Sequence, residues 1–192
     1  KESHVPFILF VGRLEVMKGV ETLGEAIPMV LREFPEAEFV LIGQDMQHPD
    51  LKIKWSEYLK AKINSQRILF LNKLSRNELL DFYHRCWMCV APSLYDAFPI
   101  TALEVMASAK PLIASRVGGL PELIDNRSTG ILVTPRDPIA LADAIIELIK
   151  NQNLRKQMGT NARKKAELEF NMEILTKKTI GVYENTMLFI RK

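Results

Sequence analysis

Cysteine is scarce: the 192 residues hold two, Cys86 and Cys89. Two thiols do not make a disulfide scaffold, and the C-x-x-C they form has no second ligand pair to complete a structural zinc site. The pair lies in the apolar, strand-like run Cys86-Trp87-Met88-Cys89-Val90-Ala91, where residues three apart point to opposite faces, so two buried, unreactive thiols in a reducing compartment are expected. No run of 18 apolar residues is present, and no charged-then-apolar leader opens the chain, so neither a spanning helix nor a signal peptide is visible. Charge of one sign is not in excess, with 26 Lys plus Arg against 23 Asp plus Glu, a net +3 that gives no electrostatic footprint for nucleic acid. Neither G-x-G-x-x-G nor G-x-x-x-x-G-K-[ST] occurs, which removes motif support for a dinucleotide site or a P-loop ATPase.

What is there is ordinary globular material. Hydrophobic residues make up 47% and charged residues 26%, which excludes a disordered chain and a coiled coil. The length suits one large domain with a core that needs no staples. Short apolar runs alternate with helical patterns. Phe7–Val11, Phe39–Gly43, Ile68–Leu71, Trp87–Ala91, Pro111–Ser115 and Gly130–Val133 read as strands buried on both faces. Between them lie helices over Val20–Phe34, with a kink or break expected at Pro28, and over Trp55–Ile63. Others follow from Ser75-x-x-Glu78 through Phe82, over Ile100–Ala109 and near Pro121–Ile124. Asp137-Pro138 starts a further helix carrying Ile139, Ala142, Ile145, Ile146 and Ile149 at helical spacing. Six strands separated by helices predict an α/β, doubly wound, Rossmann-like parallel sheet over residues 1–150.

From 151 to 192 the pattern is helix alone. Leu154, Met158, Ala162 and Ala166 mark one helix; Leu175, Thr179, Val182, Thr186 and Ile190 mark a second, weakened by Gly181. These helices are expected to pad the sheet or to cross toward a partner domain. Arg163-Lys164-Lys165 reads as a solvated basic helix face.

Ligands of such sheets bind beyond the carboxyl ends of the strands, so the loops after each strand carry the chemistry. The first is Gly12-Arg13-Leu14-Glu15-Val16-Met17-Lys18-Gly19, with two cations on a loop that feeds a helix N-terminus. Such an end presents free N–H groups and a positive partial charge; Arg13 suits a forked phosphate contact and Lys18 a point charge. Two surface cations is the plainer alternative. After the fourth strand, Asp96 stands in the loop and Glu104 follows eight residues later, with the amides of Ile100 and Thr101 between them. Carboxylates accept hydroxyls of sugar or ribose; equally, Asp96 suits a turn and Glu104 the helix dipole. A third loop, Arg116-Val117-Gly118-Gly119-Leu120-Pro121-Glu122, permits close backbone approach or a plain turn.

Gly12-Arg13-x5-Gly19, then Asp96-x7-Glu104 running into Val105-Met106-Ala107-Ser108-Ala109-Lys110-Pro111, then Gly118-Gly119-x-Pro121-Glu122, occur in that order. From about Phe7 to Ile149 the chain resembles the C-terminal, donor-binding domain of the retaining GT-B glycosyltransferases of family four, the glycosyl transferases group 1. The resemblance implies one half of a GT-B fold and a transferase that moves a hexosyl group from a UDP-, GDP- or ADP-sugar to a glycan, lipid or small-molecule acceptor. It implies that Arg13 and Lys18 hold the donor diphosphate without a metal or other cofactor, that Asp96 faces the transferred sugar, and that Glu104 binds the ribose. Gly12, Phe98, Ile100 and Thr101 complete the implied binding set, and Gln44 and Asp45 match pocket-lining positions loosely. The implied partners are the nucleotide-sugar donor, an N-terminal acceptor-binding domain and the acceptor; the implied setting is cytoplasmic, with the inner membrane face as a candidate contact. A chain opening six residues before its first strand has no room for the other domain, so it is expected to bind donor and not to catalyse alone, the last helix lacking its partner. A non-catalytic nucleotide-sugar-binding module and half of a GT-B nucleotide-sugar epimerase are the alternatives.

Three departures stand out. Asp96 replaces the family's usual Glu, shortening the reach by about 1.5 Å, one carbon–carbon bond. Ala97 and Pro99 stand where Gly is common, and Pro99 has no N–H to offer a phosphate.

Overall fold

The computed structural model describes residues 2–190, without the side chains of residues 185 and 188–190. Six strands, β1 (Phe7–Val11), β2 (Glu38–Ile42), β3 (Ile68–Leu71), β4 (Met88–Ala91), β5 (Leu112–Ser115) and β6 (Gly130–Val133), form one sheet in the order β3-β2-β1-β4-β5-β6. Every neighbouring pair is parallel. The helices between them are α1 (Val20–Glu33), α2 (Trp55–Ile63), α3 (Arg76–Arg85), α4 (Ile100–Ala107), the single turn α5 (Leu120–Leu123) and α6 (Pro138–Lys150), followed by α7 (Gln152–Glu169) and α8 (Met172–Ile190).

The strands are apolar without alternation because both faces are covered. In β1, Ile8 and Phe10 enter the core with Leu23, Ile27 and Ile145, whereas Phe7 and Leu9 enter a second core with Tyr83, Val105 and Met106. β2 divides likewise, Phe39 and Leu41 against Val40 and Ile42. The chain winds outward from β1 to β3, then restarts beside β1 with β4. That reversal of strand order leaves a crevice between the loops after β1 and β4, the place where open α/β sheets bind ligands.

Local signals explain most element boundaries. Ser75 accepts from the Glu78 amide while the Glu78 carboxylate accepts from the Ser75 amide at 2.8 Å, a complete capping box. Asp137 caps α6 through the Ala140 amide at 2.9 Å. Pro28 does not break α1. The helix runs unbroken from Val20 to Glu33 with Pro28 on its exposed side, while Leu23, Ala26, Ile27 and Val30 hold the opposite side in the core.

The cysteines correct one expectation. Cys86 precedes the strand as the residue ending α3, so the two side chains do not point to opposite faces. Both enter the same core, with sulfurs 3.7 Å apart. Both are buried, and burial above all pushes the Cys89 thiol up, with Cys86 as hydrogen-bond neighbour adding to it.

Of the terminal helices, α7 joins the domain, burying Met158 in one core and Ala162 and Ala166 in the other. Its Arg155 is buried with the guanidinium 4.0 Å from the Trp87 ring centre and Nη1 donating to the Leu148 carbonyl at 2.6 Å. On α8, Met172, Ile180, Val182, Tyr183 and Met187 are exposed; the side chain of Ile190, part of the expected pattern, lies outside the described residues. No helix among the described residues is long and apolar enough to cross a membrane.

Candidate functional site

The loop after β1 is pinned to its neighbours before it reaches α1. The Gly12 amide donates to the Ile42 carbonyl at 2.9 Å and the Leu14 amide to the Gln44 carbonyl at 2.8 Å, extending the β1–β2 ladder past both strand ends. A single 3-10 turn, Val16–Lys18, then presents Lys18 immediately before the start of α1. Gly19 joins the turn to the helix at φ 67°, and a Cβ there would sit 1.8 Å from the Pro92 carbonyl oxygen. Only glycine lets the β1 and β4 loops approach this closely.

The loop after β4 is held from both sides. Its Leu94 amide donates to the Met17 carbonyl at 2.8 Å, and the Gly119 amide of the next loop donates to the Asp96 carbonyl at 3.1 Å. Gly118, at φ 51°, would place a Cβ 1.7 Å from that Asp96 oxygen. The paired glycines therefore serve to seat Asp96, a role the sequence left open between close approach and a plain turn.

Across the crevice Lys18 Nζ donates to Asp96 Oδ2 at 2.6 Å, and Ser93 Oγ lies 3.4 Å from the same oxygen. A cation from the β1 loop and a carboxylate from the β4 loop thus meet, 78 residues apart in sequence. Both side chains are mostly withdrawn from solvent, where a charge-assisted pair is stronger than on an open surface.

α4 opens directly beyond Asp96. Its first residue is Ile100, and Pro99 before it supplies no side-chain cap. The leading N–H groups of a helix have no acceptor within the helix, so the Ile100 and Thr101 amides are available to an anion, with the helix dipole in its favour. Thr101, Glu104 and Ser108 share one side of α4, all half-buried. Glu104 Oε2 accepts from the Tyr83 hydroxyl of α3 at 3.0 Å. The rim is apolar and open, with Tyr95 and Ile100 exposed and Phe98 half-seated against Phe170, ring centres 6.1 Å apart.

Not every candidate side chain converges. Arg13 is exposed and ion-paired to Glu15, Nη2 to Oε1 at 2.9 Å, without a well-directed hydrogen bond to that oxygen. The Asp45 carboxylate accepts from Ser56, amide at 3.2 Å and hydroxyl at 2.6 Å, and so anchors the start of α2, while Gln44 is exposed. Gly12 contributes its amide to the sheet rather than to the crevice. Glu15, Tyr83 and Ser93 were not singled out by sequence. Tyr83 left a signal: it falls on the Arg76–Leu79–Tyr83 side of a capped helix, where a buried hydroxyl needs a partner. Among the described residues no three His, Cys, Asp or Glu side chains group as metal ligands would.

Comparison with known proteins gives this crevice a context. An uncharacterized glycosyltransferase of Methanocaldococcus jannaschii is 32% identical over 180 residues, covering 94% of this chain and 45% of the relative. The solved sucrose-phosphate synthase of Thermosynechococcus elongatus superposes with a TM-score of 0.81 at 31% identity, over 98% of this chain and 47% of that one. HepE of Anabaena, solved in complex with UDP-glucose, shares the fold with a TM-score of 0.84 at 20% identity, over 95% of this chain and 49% of that chain. The chain thus spans about half the length of the relatives it matches. The model of the family described as "Glycosyl transferases group 1" matches residues 1–165. With the doubly wound sheet, the glycine-seated loops and this match across most of its length, the chain belongs to the glycosyl transferases group 1 family.

Proposed function

We propose that the chain is the donor-binding half of a retaining glycosyltransferase, which moves a hexosyl group from a UDP-, GDP- or ADP-sugar to a glycan, lipid or small-molecule acceptor. The observation that carries the reading is the Lys18–Asp96 pair, which puts a phosphate-type cation and a sugar-type carboxylate in contact beside an uncapped helix start. The UDP-glucose held by HepE is further support for a nucleotide-sugar ligand.

The donor lies along the crevice in this reading. Its diphosphate takes Lys18 and the Ile100 and Thr101 amides, its sugar faces Asp96, and its ribose reaches Glu104. As the bond from the anomeric carbon to the diphosphate breaks, negative charge grows on the leaving oxygens, and donors already in place stabilise it. Arg13 joins once it leaves Glu15, a move open to an exposed side chain in a weak surface pair. Cation and amides supply the positive charge for which other transferases use a metal ion. The acceptor and the closing wall of the cleft come from a second domain, so this chain binds donor without completing transfer.

Titration with UDP-, GDP- and ADP-sugars tests the reading: one nucleotide class binds, and Lys18→Ala weakens it. In the full-length enzyme Lys18→Ala lowers turnover at least about a hundredfold, since losing one such donor costs about 3–4 kcal/mol in the transition state. Binding by none of the three, or unchanged turnover, contradicts it.

A further inference from the structure

Glu104 is held by a residue outside the loops. Tyr83 lies in the last turns of α3, 1% exposed, with its ring in the core shared by α3 and α4. Its hydroxyl donates to Glu104 Oε2 at 3.0 Å, and among the described residues no other donor is recorded on this carboxylate. Ser108 Oγ, one turn on, donates to the Glu104 main-chain carbonyl instead, at 2.8 Å. The carboxylate borders a cavity of about 320 Å³ between α3 and α4, which Arg76, Leu79, Ser108 and Arg163 also line.

A glutamate on a helix surface samples many rotamers, and ordering it at binding costs affinity. A phenol locked in the core has one donor to give and one place to give it. We propose that Tyr83 is a positioning residue for nucleoside recognition: its hydroxyl fixes the Glu104 carboxylate through Oε2 and leaves Oε1 for a ribose hydroxyl of a nucleoside diphosphate. The proposal rests on the donor-site reading above and adds to it the residue that presets the ribose contact. Burial, and then the neighbouring Cys89 and Glu104, push the Tyr83 phenol up, so it stays protonated and keeps its hydroxyl proton to donate.

A purely structural tyrosine would affect all ligands alike; a positioning one affects only those with ribose hydroxyls. Calorimetry on the full chain separates the two, using UDP, GDP and ADP with the parent and, for whichever binds, its 2′,3′-dideoxyribose counterpart. Tyr83→Phe keeps the ring and is expected to lose about tenfold in affinity for the ribonucleotide, the effect of one hydrogen bond to a charged group. It loses nothing for the dideoxy form and nothing further in a Glu104→Ala background. Glu104→Asp, which draws the carboxylate about 1.5 Å from the phenol and leaves the core untouched, gives the same selective loss. Parent-like affinity in Tyr83→Phe, or an equal loss for both sugars, overturns the proposal while leaving the donor site standing. Failure of the parent to bind any of the three nucleotides overturns the donor-site reading itself.

Discussion

Asp96→Asn isolates charge from shape at the centre of the crevice. Lys18 Nζ donates to Asp96 Oδ2 at 2.6 Å. A phosphate oxygen on the other side of the same ammonium would stand about 5 Å from that carboxylate, two charge-assisted hydrogen-bond lengths away. Two like charges at that distance repel by about 0.8 kcal/mol at the dielectric of water and about 3 kcal/mol at an effective constant of 20. The pair is neither fully exposed nor deeply buried, so the repulsion lies between these limits. Asparagine removes it and also releases Lys18. The bare nucleoside diphosphate should therefore bind Asp96→Asn at least about fourfold more tightly than the parent, while transfer by the full-length enzyme falls because the sugar loses its carboxylate. Calorimetry at about 0.05 M and 0.5 M salt measures both the gain and its screening, which should shrink at the higher salt. Equal or weaker binding by Asp96→Asn would show that Lys18 and Asp96 do not share the diphosphate's position.

Other perturbations probe the surroundings. Glu104→Ala should weaken every ribonucleotide whatever sugar it bears, and a calorimetric affinity equal to the parent's would remove Glu104 from the ribose contact. Gly118→Ala forces a Cβ against the Asp96 carbonyl and places alanine at φ 51°. Left-handed backbone alone costs about 1–2 kcal/mol, so its melting temperature and donor affinity should fall together, and a parent-like crevice in that variant would refute the glycine's role. Cys89 stays protonated in the folded protein through burial, whereas the unfolded chain releases that proton above its ordinary value of 9.0. Stability should accordingly decline as pH rises past about 9, and neither thiol should be alkylated at pH 8 until denaturant is added. Rapid labelling of the native protein would contradict the buried assignment.

The sheet was legible because parallel strands covered on both faces cannot hide: Phe7–Val11 and Ile68–Leu71 are apolar end to end, and their bounds are those of the structure. Helix starts were legible where a side chain does the capping, as at Ser75 and Asp137. Pro28 misleads because a proline inside a helical pattern does not show whether the packing of the opposite face is enough to carry the helix through it. Cys86 misleads because an apolar run does not reveal that its first residue still ends the preceding helix. In the site, position was legible and partnership was not. Loop location and residue type pointed to Lys18, Asp96 and Glu104, but that Lys18 meets Asp96, that Arg13 turns to Glu15, and that Asp45 anchors α2 depend on how separate loops are brought together. Tyr83 and Glu104 are 21 residues apart on neighbouring helices, a pairing fixed by the packing of α3 beside α4 on one sheet face.

A crystal structure of the chain with a nucleoside diphosphate that it binds would decide whether the crevice between the β1 and β4 loops is the donor site. The diphosphate is expected within about 3 Å of Lys18 Nζ and of the Ile100 or Thr101 amide, with the ribose against Glu104. A nucleotide bound elsewhere, with Lys18 still closed on Asp96 and the start of α4 empty, would contradict it.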